Sequence, residues 1–192
     1  QAALPPAPCT RSQLVDAFDE LLQPALFRDY GPNGLQVEGR GEVRHLVSGV
    51  TASLALIDAA IAAGADAILV HHGLFWRGHD GRLTGWMKQR VARLLAHDIS
   101  LIAYHLPLDA HAVWGNNAQL GATLGWVADE APQGRFGEQS LGWLGHSAEA
   151  HATAPDLARH IERRLGRPVT CIDAPGRRPQ RIAWCTGGAQ SY

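Results

Sequence analysis

The stretch "HLVSGVTASLALIDAAIAAGADAILVHH", residues 45–72, decides the fold class, because two strand-like runs flank a helix-like run. The flanking runs, residues 45–50 and 66–72, are short and apolar, as buried strands are. The segment between them, residues 53–64, is rich in alanine and closes on Gly64, a residue type that commonly ends helices. This order predicts a strand–helix–strand unit with parallel strands.

The alternation of strands and helices extends on both sides of this unit. Thr10 or Ser12 can serve as the N-cap of an amphipathic helix ahead of it. The glycines and proline of "RDYGPNGLQVEG", residues 28–39, predict a loop after that helix. Beyond the unit, residues 84–97 predict a second covering helix and "ISLIAYHLPLD", residues 99–109, a third strand. We therefore expect an α/β protein with a mainly parallel or mixed sheet covered by helices.

The regular alternation of strands and helices does not continue into the later part of the chain. We therefore expect two halves, at residues 10–128 and 129–192. In the second half, residues 153–166 predict a capped helix, and "PVTCID" (168–173) and "RIAWCT" (181–186) predict strands. The chain ends soon after the last of these strands, at the point where an α/β unit would begin its next covering helix. We therefore expect the second half to be incomplete.

The composition narrows the class of protein. Of the 192 residues, 46% are hydrophobic, which is typical of a folded domain, and a net charge of −1 gives no strong signal for nucleic acid or an anionic membrane. Cys9, Cys171 and Cys185 are far apart and form no C-x-x-C motif, so neither a disulfide framework nor a thiolate zinc site is indicated. No apolar run approaches the length that spans a bilayer. We expect a cytoplasmic protein.

Metal-binding residue types gather at two predicted strand ends. His71 and His72 end one strand, and His105 and Asp109 end the next. Ligands of parallel α/β sheets bind beyond the carboxyl ends of the strands, so these side chains can meet at one edge. Two histidines and a carboxylate suit zinc, iron, manganese or nickel and leave positions open for water. The competing interpretation is local, with the histidines satisfying nearby hydrogen bonds and Asp109 capping a helix.

The adjacency of the two histidines raises a geometric problem. Successive side chains of a regular strand point to opposite faces, so His71 and His72 would diverge. Gly73 follows them directly, and its conformational freedom would let the backbone turn so that both imidazoles face one site. Phe75 and Trp76 come next and could stack on a substrate ring, although packing is the commoner use of aromatic side chains. The loop around Asn33 is either a tight turn or part of the pocket lining.

Four blocks of the sequence together resemble a known family: "YGPNGLQVEG", "SGVTASLALIDAAIAAGADAILVHHGLFWRG", "LIAYHLPLDAHAVWGNNAQLG" and "RIAWCTGGAQSY". This is the Nif-three-like dinuclear metal-centre family, whose members are often catalogued as GTP cyclohydrolase I type 2 homologues. The resemblance implies two similar α/β halves, a ring-shaped homohexamer and two divalent metal ions per subunit. It also implies that His71, His72 and Asp109 are metal ligands, and that His105 lines the same pocket.

One part of the family pattern is missing. The family completes its site with a histidine and, four residues later, a glutamate in a block near the C-terminus, and this chain contains no H-x-x-x-E. We therefore expect the remaining ligands to lie beyond these residues.

The function expected from the resemblance is that of a metal-dependent hydrolase with a dinuclear centre, acting on a nucleotide, a cyclic amide or a phosphoester. No catalytic residue is assigned, and we expect Asn33, Phe75 and Trp76 to shape the pocket. The alternative is a metal-binding assembly or regulatory protein without enzymatic activity.

Overall fold

The computed structural model describes residues 7–190 and divides the chain into two units between Leu108 and Asp109. The α-helices are α1 (Arg11–Leu22), α2 (Leu54–Ala62), α3 (Gly85–Ala96), α4 (Leu106–Ala110), α5 (Asn116–Leu124) and α6 (Ala154–Leu165). The strands are β1 (Cys9–Thr10), β2 (Gly34–Val37), β3 (Glu42–Val43), β4 (Leu46–Thr51), β5 (Ala67–His72), β6 (Ser100–Ala103), β7 (Trp126–Ala128), β8 (Arg135–Phe136), β9 (Gly142–Ser147) and β10 (Ile182–Trp184). These elements confirm the predicted α/β class.

The sheet of the first unit has the strand order β2-β6-β5-β4. Strands β4, β5 and β6 are parallel, whereas β2 is antiparallel to β6. The register pairs Thr51 of β4 with His72 of β5, and Val70 of β5 with Ala103 of β6. The carboxyl ends of the three parallel strands therefore lie side by side at one edge of the sheet.

Helices pack on both faces of this sheet. Side chains alternate between the two faces along each strand, so each face carries its own set of apolar residues. Ile68 and Val70 of β5 belong to a core that includes Met87 and Leu94 of α3, and Ile57 of α2 is part of the same core. On the opposite face, Ala67, Ile102 and Tyr104 pack with side chains of α1. The first unit is thus a helix–sheet–helix arrangement, as the alternating pattern predicts.

The start of α1 is fixed by a reciprocal pair of hydrogen bonds. The Thr10 hydroxyl accepts the backbone N–H of Gln13 at 3.1 Å, and the Gln13 side chain accepts the backbone N–H of Thr10 at 2.9 Å. This capping box satisfies N–H groups that a helix start leaves without partners. Of the two predicted N-caps, Thr10 is therefore the correct one.

Three predicted segments differ from the structure. The strand predicted at 99–109 ends at Ala103, and α4 begins three residues later with Pro107 in its first turn. Proline cannot donate to a strand ladder but fits the first turn of a helix, which explains the change. The loop predicted at 28–39 contains β2, and the strand predicted at 168–173 is wrong, since that segment has no regular structure and Ile172 is 92% exposed.

The second unit is built on an antiparallel sheet of order β10-β9-β7, with β8 also paired to β9. Its core includes the buried side chains of Trp143, Ile182 and Trp184. Helix α6 begins at the predicted cap, where the Thr153 hydroxyl accepts the backbone N–H of Asp156 at 3.2 Å. The division into similar halves at 10–128 and 129–192 stays a prediction, because compactness does not measure similarity. Across residues 7–190, the structure contains no helix with the length and apolar character needed to cross a membrane.

Candidate metal centre

Three partly buried histidines meet at the carboxyl edge of the first unit's sheet. One ring nitrogen from each of His71, His72 and His105 lies within 4.8 Å of the corresponding nitrogens of the other two. The ring centroid of His71 lies 4.5 Å from that of His72 and 4.9 Å from that of His105. Neutral imidazole is a common ligand of divalent transition metals, so this cluster could hold a metal ion.

Strand β5 supplies two of these histidines and remains paired to its end. Its last residue, His72, is opposite Thr51, and the His72 carbonyl accepts the backbone N–H of Ala52 at 2.8 Å. The adjacent imidazoles nevertheless converge. His105 comes from the short connection between β6 and α4, so the third histidine depends on the conformation of a loop.

The reason for glycine at position 73 differs from the predicted one. Gly73 does not adopt the left-handed conformation that favours glycine. A Cβ atom there would instead overlap the carboxamide of Gln36 and lie 2.6 Å from its Cδ and Nε2 atoms. That carboxamide accepts the backbone N–H of Leu74 at 2.8 Å and donates to the Pro32 carbonyl at 2.8 Å. Glycine is therefore needed here for the close approach of a neighbouring side chain.

Hydrogen bonds determine which ring nitrogens can bind a metal. Nδ1 of His71 lies 3.1 Å from the carbonyl oxygen of Tyr104, and Nδ1 of His105 lies 2.7 Å from Oδ1 of Asp29. A carbonyl or carboxylate oxygen only accepts, so both Nδ1 atoms carry a hydrogen and the neutral rings have their lone pairs on Nε2. Metal-binding histidines characteristically donate their other N–H in this way. The donor set therefore fits a divalent metal ion.

His72 has a different partner. Its Nδ1 lies 3.0 Å from the Thr51 hydroxyl, which can donate or accept, so this contact is compatible with either tautomer. The contact nevertheless links the ring to the last residue of β4.

Asp29 lies behind the histidine cluster, although sequence reasoning did not single it out. Its side chain is 3% exposed, and besides His105 it accepts the backbone N–H groups of Leu106 at 2.8 Å and Tyr30 at 2.6 Å. Burial alone would raise the pKa of Asp29, but the hydrogen bonds from His105, Asn33, Leu106 and Tyr30 lower it to about 2. The carboxylate is thus ionised at neutral pH. An aspartate directly before a turn-forming segment is common, so the sequence offered little to distinguish it.

A cleft lies beside the cluster, between the segments at residues 29–32 and 73–81. Phe75 and Trp76 line it. The Trp76 ring stands edge-on to His105 with centroids 5.0 Å apart. Arg77 ties the two segments together, since its backbone N–H donates to the Tyr30 carbonyl at 2.6 Å and its guanidinium donates to the Asp29 carbonyl at 2.7 Å. The cleft walls are therefore connected by direct hydrogen bonds.

Two further residues of the predicted site have specific partners. The Asn33 side chain accepts the backbone N–H of His105 at 2.8 Å and donates to Asp29 at 3.0 Å, so it holds the loop that carries the third histidine. Asp109 lies in α4 as the first residue of the second unit, is buried, and accepts a hydrogen bond from the Asn116 side chain at 2.7 Å. Its assignment as a metal ligand stays a prediction.

Comparison with known proteins identifies close relatives. A family model described as Duf34/NIF3 (NGG1p interacting factor 3) matches residues 9–192. The protein named GTP cyclohydrolase 1 type 2 homolog in Neisseria meningitidis serogroup A is 51% identical over 174 residues, covering 91% of this chain and 68% of that protein. The protein of the same name in Pseudomonas aeruginosa is 52% identical over 181 residues, covering 94% of this chain and 71% of that protein.

Solved structures agree with this assignment. The structure of protein ybgI, described as being of unknown function, matches with a TM-score of 0.87 at 45% identity, covering 95% of this chain and 72% of that one. The crystal structure of a Thermus thermophilus protein, TTHA1606, matches with a TM-score of 0.65 at 34% identity, covering 83% of this chain and 62% of that one. The resemblance carried by the four sequence blocks is confirmed. The chain belongs to the Duf34/NIF3 family.

Proposed function

We propose that this protein is a divalent-metal-dependent hydrolase whose metal centre includes His71 and His72. The observation that carries the proposal is the convergence of three imidazoles at the carboxyl edge of a parallel sheet, where one nitrogen of each ring lies within 4.8 Å of the others. Two of these rings, those of His71 and His105, donate from Nδ1 to an acceptor, as metal-binding histidines characteristically do. Asp109 and a second divalent ion belong to the same proposal, on the strength of the family resemblance, as does assembly into a homohexamer.

The residues of the first unit have distinct tasks in this proposal. His71 and His72 hold the ion, and the cleft wall formed by Phe75 and Trp76 positions the substrate beside it. A divalent ion, when bound, lowers the pKa of a coordinated water from ~15.7 toward ~7 and polarises the bond under attack. The name of the relatives, GTP cyclohydrolase 1 type 2 homolog, makes nucleotides and cyclic amides the first substrates to test.

The test compares the full chain with the double variant His71→Ala, His72→Ala. Each protein is loaded with zinc, manganese or iron(II), freed of excess metal, and assayed for metal content and for hydrolysis of nucleotides, cyclic amides and phosphoesters. We expect the double variant to lose most of its metal and all metal-dependent hydrolysis. His97→Ala is the matched control, because His97 is exposed at the end of α3 and outside the cleft.

Each outcome distinguishes a different interpretation. Retention of metal by the double variant would contradict the site itself. Metal binding that depends on His71 and His72 but supports no hydrolysis would instead favour a metal-binding assembly or regulatory protein.

A further inference from the structure

The cleft beside the three histidines is wide enough for a small molecule. Its volume is about 360 Å³, within the usual range of small-molecule sites. Tyr30 and Trp76 line it, and Tyr30 is 58% exposed. Nucleobases stack on exposed aromatic rings, and one such ring changes binding by about 5–150-fold. This part of the cleft therefore favours a ligand with a planar ring.

Tyr30 and Trp76 also stand next to the histidines. The ring centroid of Trp76 lies 5.0 Å from that of His105 and 6.1 Å from that of His72. The ring centroid of Tyr30 lies 6.1 Å from that of His105. A planar ring held against these two side chains therefore lies beside the candidate metal centre.

The wide end of the cleft is lined by hydrogen-bond donors. Arg77 and His79 line it, but they do not line the narrow recess beside His105. The Arg77 guanidinium uses one of its five N–H donors for the Asp29 carbonyl, at 2.7 Å. Nδ1 of His79 accepts the backbone N–H of Gly81 at 3.1 Å, so the neutral ring carries its hydrogen on Nε2. This end of the cleft therefore suits a ligand group that accepts hydrogen bonds, as phosphate does.

The positive charge at this end has no carboxylate beside it. Asp29 also lines the cleft, but its side chain is 3% exposed and is bonded to His105. In the described part of the chain Arg77 forms no ion pair, whereas Arg82 of the same loop pairs with Asp80. Because a guanidinium matches the geometry of phosphate oxygens, the charge of Arg77 favours a phosphate as the ligand group.

We propose that this cleft binds a planar heteroaromatic ring that carries a phosphate, as a mononucleotide does. The ring stacks on Tyr30 and Trp76. The phosphate bonds to Arg77 and His79, and one ligand can reach both ends because Cζ of Arg77 lies 5.8 Å from the centroid of the Tyr30 ring. The inference rests on the proposed function and adds to it the class of substrate and its orientation, in which the ring rather than the phosphate faces the metal centre.

The test compares, by calorimetry, the binding of GMP and AMP with that of their nucleosides, which lack the phosphate. The full chain is used without metal, so that no ion competes for the phosphate. Arg77→Gln should bind the nucleotides about 10–100-fold more weakly, because a hydrogen bond from a charged group is lost, and should bind the nucleosides unchanged. Tyr30→Leu should weaken nucleotides and nucleosides alike, because both carry the ring.

Two further variants serve as control and as second probe. Arg82→Gln is the matched control, because it removes the same charge from the same loop but Arg82 does not line the cleft, so nucleotide affinity should stay within about threefold. His79→Asn keeps an acceptor for the backbone N–H of Gly81, as asparagine does in turns, and loses the Nε2–H donor. It should weaken nucleotide binding about 3–10-fold and leave nucleoside binding unchanged. Should Arg77→Gln fail to fold, His79→Asn still decides the matter.

The outcomes separate this inference from the proposed function. Nucleosides that bind as tightly as nucleotides, or nucleotide affinity that is the same in His79→Asn and within about threefold in Arg77→Gln, overturn the inference. An equal loss in Arg82→Gln also overturns it, because the effect would then come from the charge of the loop as a whole. Release of inorganic phosphate from GMP by the Zn²⁺-loaded chain would place the phosphate at the metal ion and overturn the orientation. Absence of all metal-dependent hydrolysis contradicts the proposed function alone, since the binding measurements need no metal.

Discussion

Replacing Gly73 by alanine tests why a glycine follows the two histidines. The backbone at this position is one that alanine can adopt, so conformational strain predicts little effect. The structure predicts a substantial effect, because the new Cβ would overlap the Gln36 carboxamide. That group cannot move aside without losing its hydrogen bonds to Leu74 and Pro32.

The magnitude follows from the two hydrogen bonds. Leu74 is fully buried, so the loss of a partner for its backbone N–H costs about 1–3 kcal/mol. The Pro32 carbonyl belongs to an exposed residue and can bond to water instead, which makes its loss small. Alanine lowers the entropy of the unfolded chain and returns about 0.4–1 kcal/mol. The free energy of unfolding should therefore fall by about 1–2 kcal/mol in Gly73→Ala.

The assay is a double-mutant cycle followed by urea unfolding with circular dichroism. Gln36→Ala should lose the same hydrogen bonds and cost about 1–3 kcal/mol. In the double variant, the Gly73→Ala step should raise the free energy of unfolding by about 0.4–1 kcal/mol, because the obstructing side chain is gone and only the entropic gain remains. Gly41→Ala is the control. A Cβ atom at Gly41 would meet no atom within 4 Å, and the backbone of Gly41 is not in the left-handed conformation. Additive costs of the two substitutions would refute the contact with Gln36 as the reason for glycine.

Two further predictions concern buried polar groups. Burial alone would raise the pKa of Asp66, but its hydrogen bonds from two backbone N–H groups and its pairing with Arg40 lower that pKa below the ordinary value. The ionised Asp66 carboxylate therefore stabilises the folded state fully above pH ~4, and this stabilisation is lost as the pH falls through the folded-state pKa. The difference in unfolding free energy between the unaltered chain and Asp66→Asn should thus become smaller at acid pH. Urea unfolding at pH 7 and pH 3 measures this difference, and a difference that is the same at both pH values would contradict the lowered pKa of Asp66. Asn117 is fully buried, and its side chain donates to the Leu141 carbonyl at 2.9 Å and accepts the backbone N–H of Thr186 at 2.7 Å. Asn117→Ala should therefore lower the unfolding free energy by about 2–4 kcal/mol. Unfolding followed by tryptophan fluorescence measures this loss. A loss below about 1 kcal/mol would show that these bonds matter little.

Local pattern was enough to predict the centre of the first unit. The apolar runs that became β4 and β5 and the alanine-rich segment that became α2 depend on neighbours within a few residues, and the N-cap of α1 was narrowed to Thr10 or Ser12 in the same way. The position of His71 and His72 at a strand end followed from the same pattern. These features need no knowledge of distant contacts, which is why the sequence alone could predict them.

Distant contacts explain what was missed. Strand β2 forms because it pairs with β6, which is more than sixty residues later, and its short apolar run resembles a loop when taken alone. Asp29 and His105 are separated by 76 positions, so no local pattern connects them. Gly73 was interpreted through its own backbone, whereas the deciding atom belongs to Gln36.

The hydrogen-bond partners of the histidines explain how the sheet itself prepares the candidate site. Thr51 ends β4 and contacts His72, while the carbonyl of Tyr104, directly after β6, accepts from His71. The strands on both sides of β5 thus fix one imidazole each, and a slip of either pairing by one residue would turn these partners to the opposite face. Of the three clustered histidines, only His105 lies outside the strands, and it is the one whose ring contacts a buried carboxylate. Sites on strands are held more precisely than sites on loops, and the hydrogen bonds of Asp29 and Asn33 hold the loop that carries His105.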